Sequence, residues 1–191
     1  MIDFSKIIKE VASKEMSPLL VISEQGYKQK YDFIIDCADI QDYNTINIIS
    51  SIEHKDLFTQ LVKIKGPVVY IFEIISSTNS NDIVENIKNY SKTEKSKKTP
   101  AIKVIYPDTN ILYIGKVKRN FWGRVIQHLG FYKISQTQGL QLYYWAKPLK
   151  LKLLLHVFEF NNDSVELLPV LEKGLALELK PILGKHPKVA N

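Results

Sequence analysis

The densest chemistry in the chain lies in the stretch 111–131, ILYIGKVKRNFWGRVIQHLGF. Tyr113 stands in a strand-like alternation and Gly115 follows it. Arg124 and His128 are four residues apart, a spacing that puts a guanidinium and an imidazole on one face of a helix. The plain alternative is a core aromatic at Tyr113 and a solvated charge at Arg124. A second oddity lies near the C-terminal end. Glu172 has Leu168 at i−4, Leu175 at i+3, Ala176 at i+4 and Leu179 at i+7, so it occupies the apolar stripe of its helix. A carboxylate there is costly unless it is paired or binds a metal. It is therefore either an ion pair with an arginine or lysine of the sheet, or a metal-binding or catalytic carboxylate facing a cleft.

Charge placement points to a polyanion. The 26 Lys and Arg against 20 Asp and Glu give +6 at pH 7. Residues 88–103 carry six lysines against one glutamate, and Lys116, Lys118, Arg119 and Arg124 crowd the central stretch. Clustered cations suit a phosphate backbone, since each contact releases counterions, although lysine runs also serve as solvated loops. Other chemistries are set aside: there is no Walker-type phosphate loop, no G-x-G-x-x-G and no G-x-S-x-G elbow. His54, His128, His156 and His186 show no zinc-ligand spacing. The longest apolar runs are too short to span a bilayer, no secretory pattern opens the chain, and the lone Cys37 excludes an intramolecular disulfide, so the expected location is the cytoplasm, with no membrane partner.

The elements that must position these residues follow from periodicity. An amphipathic helix is expected over 2–15, ended by Ser17-Pro18, then a hairpin of 19–23 with 31–37, and a helix over 51–63 with Leu57, Leu61 and Val62 inward. The continuous apolar run 68–75, VVYIFEII, reads as a strand buried on both faces. A helix over 82–90 follows, capped by Ser80 or Asn81, then an exposed lysine loop at 92–98 and a strand at 101–106. The tight-turn sequence PDTN favours a hairpin of 101–106 with 111–116, with 68–75 as the other candidate partner. Asn120 is the expected cap of a helix carrying Phe121, Val125 and Leu129 inward and stopped by Gly130. Residues 139–147 fit helix or strand, 151–160 a strand, and 165–180 a helix capped near Ser164 and stopped by Pro181.

With Tyr70, Tyr113, Arg124, His128 and Glu172 taken together, the chain resembles the GIY-YIG endonuclease family. VVY at 68–70 stands for the first motif and an unmodified YIG at 113–115 is the second. Arg124 matches the helix arginine, His128 the position four residues later, and Glu172 the single metal-binding glutamate. The likeness covers about 66–187, with a helix and lysine loop inserted at about 76–100, and with Gly184 where the family often has asparagine.

The resemblance implies an α+β, sandwich-like fold with a small, largely antiparallel central sheet flanked by helices. Residues 1–65 would be an N-terminal α+β extension to a nuclease domain at 66–187. It also implies a divalent-metal-dependent DNA endonuclease, a phosphodiester hydrolase with Glu172 holding one Mg2+ or Mn2+, Arg124 clamping the phosphate and His128 assisting by hydrogen bond. Tyr70 would be the general base with Tyr113 positioning or sharing the proton, an assignment that can be exchanged. Lys116, Lys118, Arg119, Lys97 and Lys98 would bind nucleic acid, and double-strand cutting from one site favours a homodimer. A catalytically inactive nucleic-acid-binding module of the same fold is the alternative.

Overall fold

In a computed structural model of the protein, the described residues are 3–48, 51–93, 96–103, 108–133 and 138–185. Among them the architecture is α+β, a four-stranded antiparallel sheet with six α-helices. The elements in chain order are α1 (Phe4–Gln25), β1 (Gln29–Asp36), α2 (Lys55–Leu61), β2 (Val68–Ile74), α3 (Ser80–Ser91), β3 (Ile111–Val117), α4 (Phe121–Leu129), α5 (Leu142–Trp145), β4 (Lys152–Glu159) and α6 (Leu168–Leu179), with a 3-10 helix at Asn162–Leu167 leading into α6.

The strand order is β1-β4-β2-β3. β2 is inside the sheet, pairing antiparallel with β3 (Tyr70 opposite Gly115) and with β4 (Tyr70 opposite Val157). This is why its sequence is an unbroken apolar run: Val68, Val69, Tyr70, Ile71 and Phe72 are all buried. One face of the sheet, with Phe33, Ile35, Tyr70, Phe72, Leu155 and Val157, packs under α2, α3, α4 and α5 through Leu61, Ile87, Val125 and Trp145. The other face, with Val69, Ile71 and Ile114, packs against α6 through Leu168 and Ala176. The described residues before Lys65 are tied into this sheet by β1, which pairs with β4 from Gln29 opposite Glu159 to Asp36 opposite Lys152.

Several expectations need correction. Pro18 does not end α1; it lies within it and is the helix's buried residue, so 19–23 are helical and form no hairpin with β1. Proline removes one main-chain bond, but Ile22 packs onto the cluster beneath α6 and tertiary packing carries the helix past it. It stops at Gly26, whose φ of 76° closes the last turn with its N–H on the Ile22 carbonyl at 2.8 Å. In α2 Leu57 and Leu61 face inward as expected, together with Phe58, but Val62 is exposed.

The cap of α3 is Asn79, accepting from the Asp82 N–H at 2.9 Å, rather than Ser80 or Asn81. The partner of β3 is β2. Residues 101–103 are held by the C-terminal segment instead, through an Ile102–Leu183 bridge, while 104–106 lie outside the described residues, as does His186. The Ile182 and Leu183 N–H groups bond the Ile111 and Leu112 carbonyls at 2.9 and 3.0 Å, and the Gly184 N–H bonds the Ala101 carbonyl at 2.9 Å. Ser164 sits inside the 3-10 helix and does not cap α6, which starts at Leu168 and carries Pro169 in its first turn.

Candidate active site

β2 and β3 bring two phenols side by side and α4 lays its polar residues across them. Antiparallel pairing sets Tyr70 opposite Gly115 and Tyr113 opposite Phe72, so both rings lie on the face covered by α4. Their centroids are 6.2 Å apart. Gly115 is needed for this approach, because a Cβ there would stand 2.5 Å from Tyr70 Cζ and 2.8 Å from Tyr113 Cε1. The apolar stripe of α4, Phe121, Val125 and Leu129, is fully buried, and this fixes the azimuth of Arg124 and His128.

Both α4 side chains converge on one atom. Arg124 Nε donates to the Tyr70 hydroxyl at 3.3 Å, and His128 Nε2 lies 2.8 Å from it. The histidine tautomer follows from its other partner: the Leu140 main-chain N–H donates to Nδ1 at 3.2 Å, so Nδ1 is an acceptor and the ring proton is on Nε2. Burial, and secondarily the charge of Arg124, hold the imidazole well below its usual pKa, hence neutral. The Tyr70 oxygen therefore receives two hydrogen bonds, one of them charge-assisted.

Burial acts in the opposite sense on Tyr70. It has no exposed surface, and desolvation, reinforced by Tyr113, raises its phenol pKa, with Arg124 pulling it down. Tyr113 is only half-buried. Burial opposes the Arg124 charge, and the nearby Tyr70, with Tyr113 second, raises the guanidinium pKa against that cost. Arg124 is further fixed through Nη1, which donates to the Gln138 carbonyl at 2.7 Å and to Gln127 Oε1 at 3.0 Å.

Glu172 is positioned differently. It lies on the stripe of α6 between buried Leu168 and Ala176, facing the sheet, and its carboxylate is bonded to the ammonium of Lys116. Lys116 follows Gly115 in β3, so the strand's alternation sends it to the α6 side while Tyr113 and Gly115 serve the α4 side. The pair is open to solvent, Lys116 at 33% and Glu172 at 19% side-chain exposure. The Glu172 carboxylate is still felt at Tyr70, where it is a minor contribution to the raised phenol pKa, behind burial and Tyr113.

Of the five predicted catalytic residues, Tyr70, Tyr113, Arg124 and His128 thus form one contiguous cluster. Glu172 sits across the edge strand, in the lysine pair that was the first of its two sequence readings. No group of three or more His, Cys, Asp or Glu side chains able to hold a metal gathers among the described residues. Glu172 fits a cation that keeps most of its water: one carboxylate, partly exposed, in reach of solvent.

Among the predicted nucleic-acid contacts, Lys118 pairs with Glu166 at 2.6 Å, Arg119 is exposed at the mouth of α4, and Lys97 lies over the Tyr132 ring at 4.1 Å. Lys98 is exposed, and its carbonyl accepts from the Gly139 N–H at 3.3 Å while Thr99 accepts from Gln138 Nε2 at 3.2 Å, so the lysine loop is fastened beside Arg124. The segment 138–140 was missed by sequence reasoning, because it acts through main-chain atoms. Its only signal is Gly139, where a Cβ would stand 2.9 Å from the Gln127 carbonyl carbon.

No family model, curated protein or solved structure matches this chain.

Proposed function

We propose that the protein is a divalent-metal-dependent endonuclease that hydrolyses phosphodiester bonds in DNA. The observation that carries this reading is the convergence of Arg124 and His128 on the hydroxyl of Tyr70, with Tyr113 alongside and open to solvent. A permanent cation held beside phenols, with Arg119 and Lys98 exposed on the segments next to α4, suits a phosphate whose charge grows during attack. Tyr113, the partly exposed phenol, takes the water-facing role and directs the attacking oxygen. Tyr70 is the anchor that orients Arg124, and its burial argues against the general-base role first given to it. His128, neutral and fixed in one tautomer by the Leu140 amide, holds the Tyr70 hydroxyl in place. Arg124 presents its guanidinium to the non-bridging oxygens. A Mg2+ or Mn2+ ion on Glu172 would supply charge stabilisation at the leaving oxygen.

No helix among the described residues is long and apolar enough to cross a membrane. DNA as partner, a homodimer for double-strand cutting, and a cytoplasmic location belong to this proposal. The test is incubation of supercoiled plasmid with purified protein and Mg2+. Nicking that disappears with EDTA, with Arg124→Ala and with Glu172→Ala is the expected result; intact plasmid with every divalent metal and substrate form refutes it. One observation favours a second reading, an inactive nucleic-acid-binding module: the Glu172 carboxylate is engaged by Lys116. Salt-dependent DNA retention without nicking would select it.

A further inference from the structure

Lys116 and Glu172 form a neutral pair at the place where the proposed function seats a +2 ion. The carboxylate cannot serve both cations through the same oxygen, and a metal arriving beside an ammonium meets like charge at a few ångströms. We propose that Lys116 is the resident counter-cation of Glu172, and that a divalent metal enters by exchange with it, releasing the ammonium to bind the substrate phosphate. This inference rests on the nuclease reading above.

Three observations carry it. The ion pair is one-third and one-fifth exposed at its two ends, so neither partner is sealed and hydrated metal can reach Glu172. Lys116 is anchored in β3 one residue beyond Gly115, so its freed side chain stays at the edge strand shared with Tyr113. Glu172 lies between Leu168 and Ala176, both buried, which holds the carboxylate in place while the long lysine chain moves.

Exchange changes the local charge. The pair is neutral at rest; with metal on Glu172 and Lys116 released, the same region carries two net positive charges. That state is unfavourable alone and favourable beside a phosphodiester backbone. Metal and DNA therefore strengthen each other's binding, as linkage requires of any ligand pair sharing one coupled state.

The experiment is a Mn2+ titration followed by the loss of the free-ion paramagnetic resonance signal. It uses wild type, Lys116→Met, Lys116→Gln and Glu172→Gln, each shown folded by circular dichroism, with and without a non-hydrolysable phosphorothioate duplex. The expected result is weak Mn2+ binding by wild type, strengthened by the duplex. Both Lys116 variants bind Mn2+ at least about tenfold more tightly without DNA, the order expected for removing one unit charge a few ångströms away, and lose most of the DNA enhancement. Glu172→Gln abolishes binding. Equal or weaker affinity in the Lys116 variants overturns the exchange and leaves the nuclease reading standing, since Glu172 then takes metal unopposed. Absence of Mn2+ binding in wild type and both Lys116 variants, with and without duplex, overturns both.

Discussion

Gly115→Ala tests the placement of Tyr70, on which the whole α4-side cluster depends. The added Cβ would stand 2.5 Å from Tyr70 Cζ and 2.8 Å from Tyr113 Cε1, where ordinary contact begins near 3.4 Å, so the Tyr70 ring must retreat by most of an ångström. It has nowhere to go. Phe121 and Phe72 pack on it with centroids at 5.2 and 6.0 Å, and His128 and Arg124 hold its hydroxyl. Overpacking of this kind costs about 1–3 kcal/mol, and in a chain of this size each kcal/mol lowers Tm by about 2–4 °C.

The assay is urea unfolding of wild type, Gly115→Ala, Tyr70→Phe and the double variant. Tyr70→Phe alone costs about 1–3 kcal/mol, because the His128 Nε2–H loses its acceptor inside the core. In the double variant the missing oxygen makes room for part of the new methyl group. The combined loss should then fall short of the sum by more than about 0.5 kcal/mol. A Gly115→Ala protein within about 0.5 kcal/mol of wild type, or strict additivity in the double variant, would mean that Tyr70 does not lie over Gly115 and would remove the basis for the site.

Four other outcomes follow from the same geometry. His128 and His54 are both held below the ordinary histidine pKa of 6.5, chiefly by burial, so the unfolded chain takes up protons that the folded one refuses. Stability is full above pH 6.5 and falls as pH drops below it, by at most about 1.4 kcal/mol per pH unit for each histidine; urea midpoints at pH 7.5 and 5.5 that coincide would contradict this. Tyr113→Phe should keep wild-type stability, the residue being only partly buried, yet slow plasmid nicking by about 100-fold or more, whereas equal rates would take Tyr113 out of the reaction. Arg124→Lys keeps the charge but loses the fork that reaches Tyr70 and the Gln138 carbonyl, and should cost nicking at least about 100-fold; a rate near wild type would show that charge alone suffices. Glu172→Gln removes a partly exposed ion pair and should shift stability by less than about 1 kcal/mol; a much larger loss measured by urea unfolding would mark Glu172 as structural.

The part of the site that was legible in the sequence is the part governed by local periodicity. The alternation through Ile111–Val117 and the i, i+4 relation of Arg124 and His128 placed both elements, and the buried run at 68–74 named the central strand. Glu172 on an apolar stripe was readable too, together with the two fates open to it. The chemistry did not show which cation it meets, because that depends on α6 crossing β3 at Lys116, a tertiary register. Pro18 misled for the same reason: propensity ended the helix there, and the packing of Ile22 continued it. The tight-turn sequence before Ile111 favoured a local hairpin over the other candidate, 68–75, yet the strand pairs with the distant β2, where Ile71, Ile114 and Phe72 are buried. The Leu140 amide that fixes His128 carries no residue-type signal at all, since every residue but proline offers the same group.

β3 ends the sheet, and a strand with one unpaired side is a ready template for a foreign chain. Residues 182–184 answer this by laying main-chain bonds along the beginning of β3 and tying 101–103 into the same seam. The opposite margin is guarded by composition instead, since β1 presents Lys30, Asp32 and Asp36 along its length. The strand bearing Tyr113 and Lys116 is thereby hindered from nucleating fibrils at its first residues. Removing the segment after Lys180 would expose a bare β-margin beside the reactive groups and would also take the buried Ile182 and Leu183 out of the core, so self-association into insoluble aggregates and loss of stability would come together.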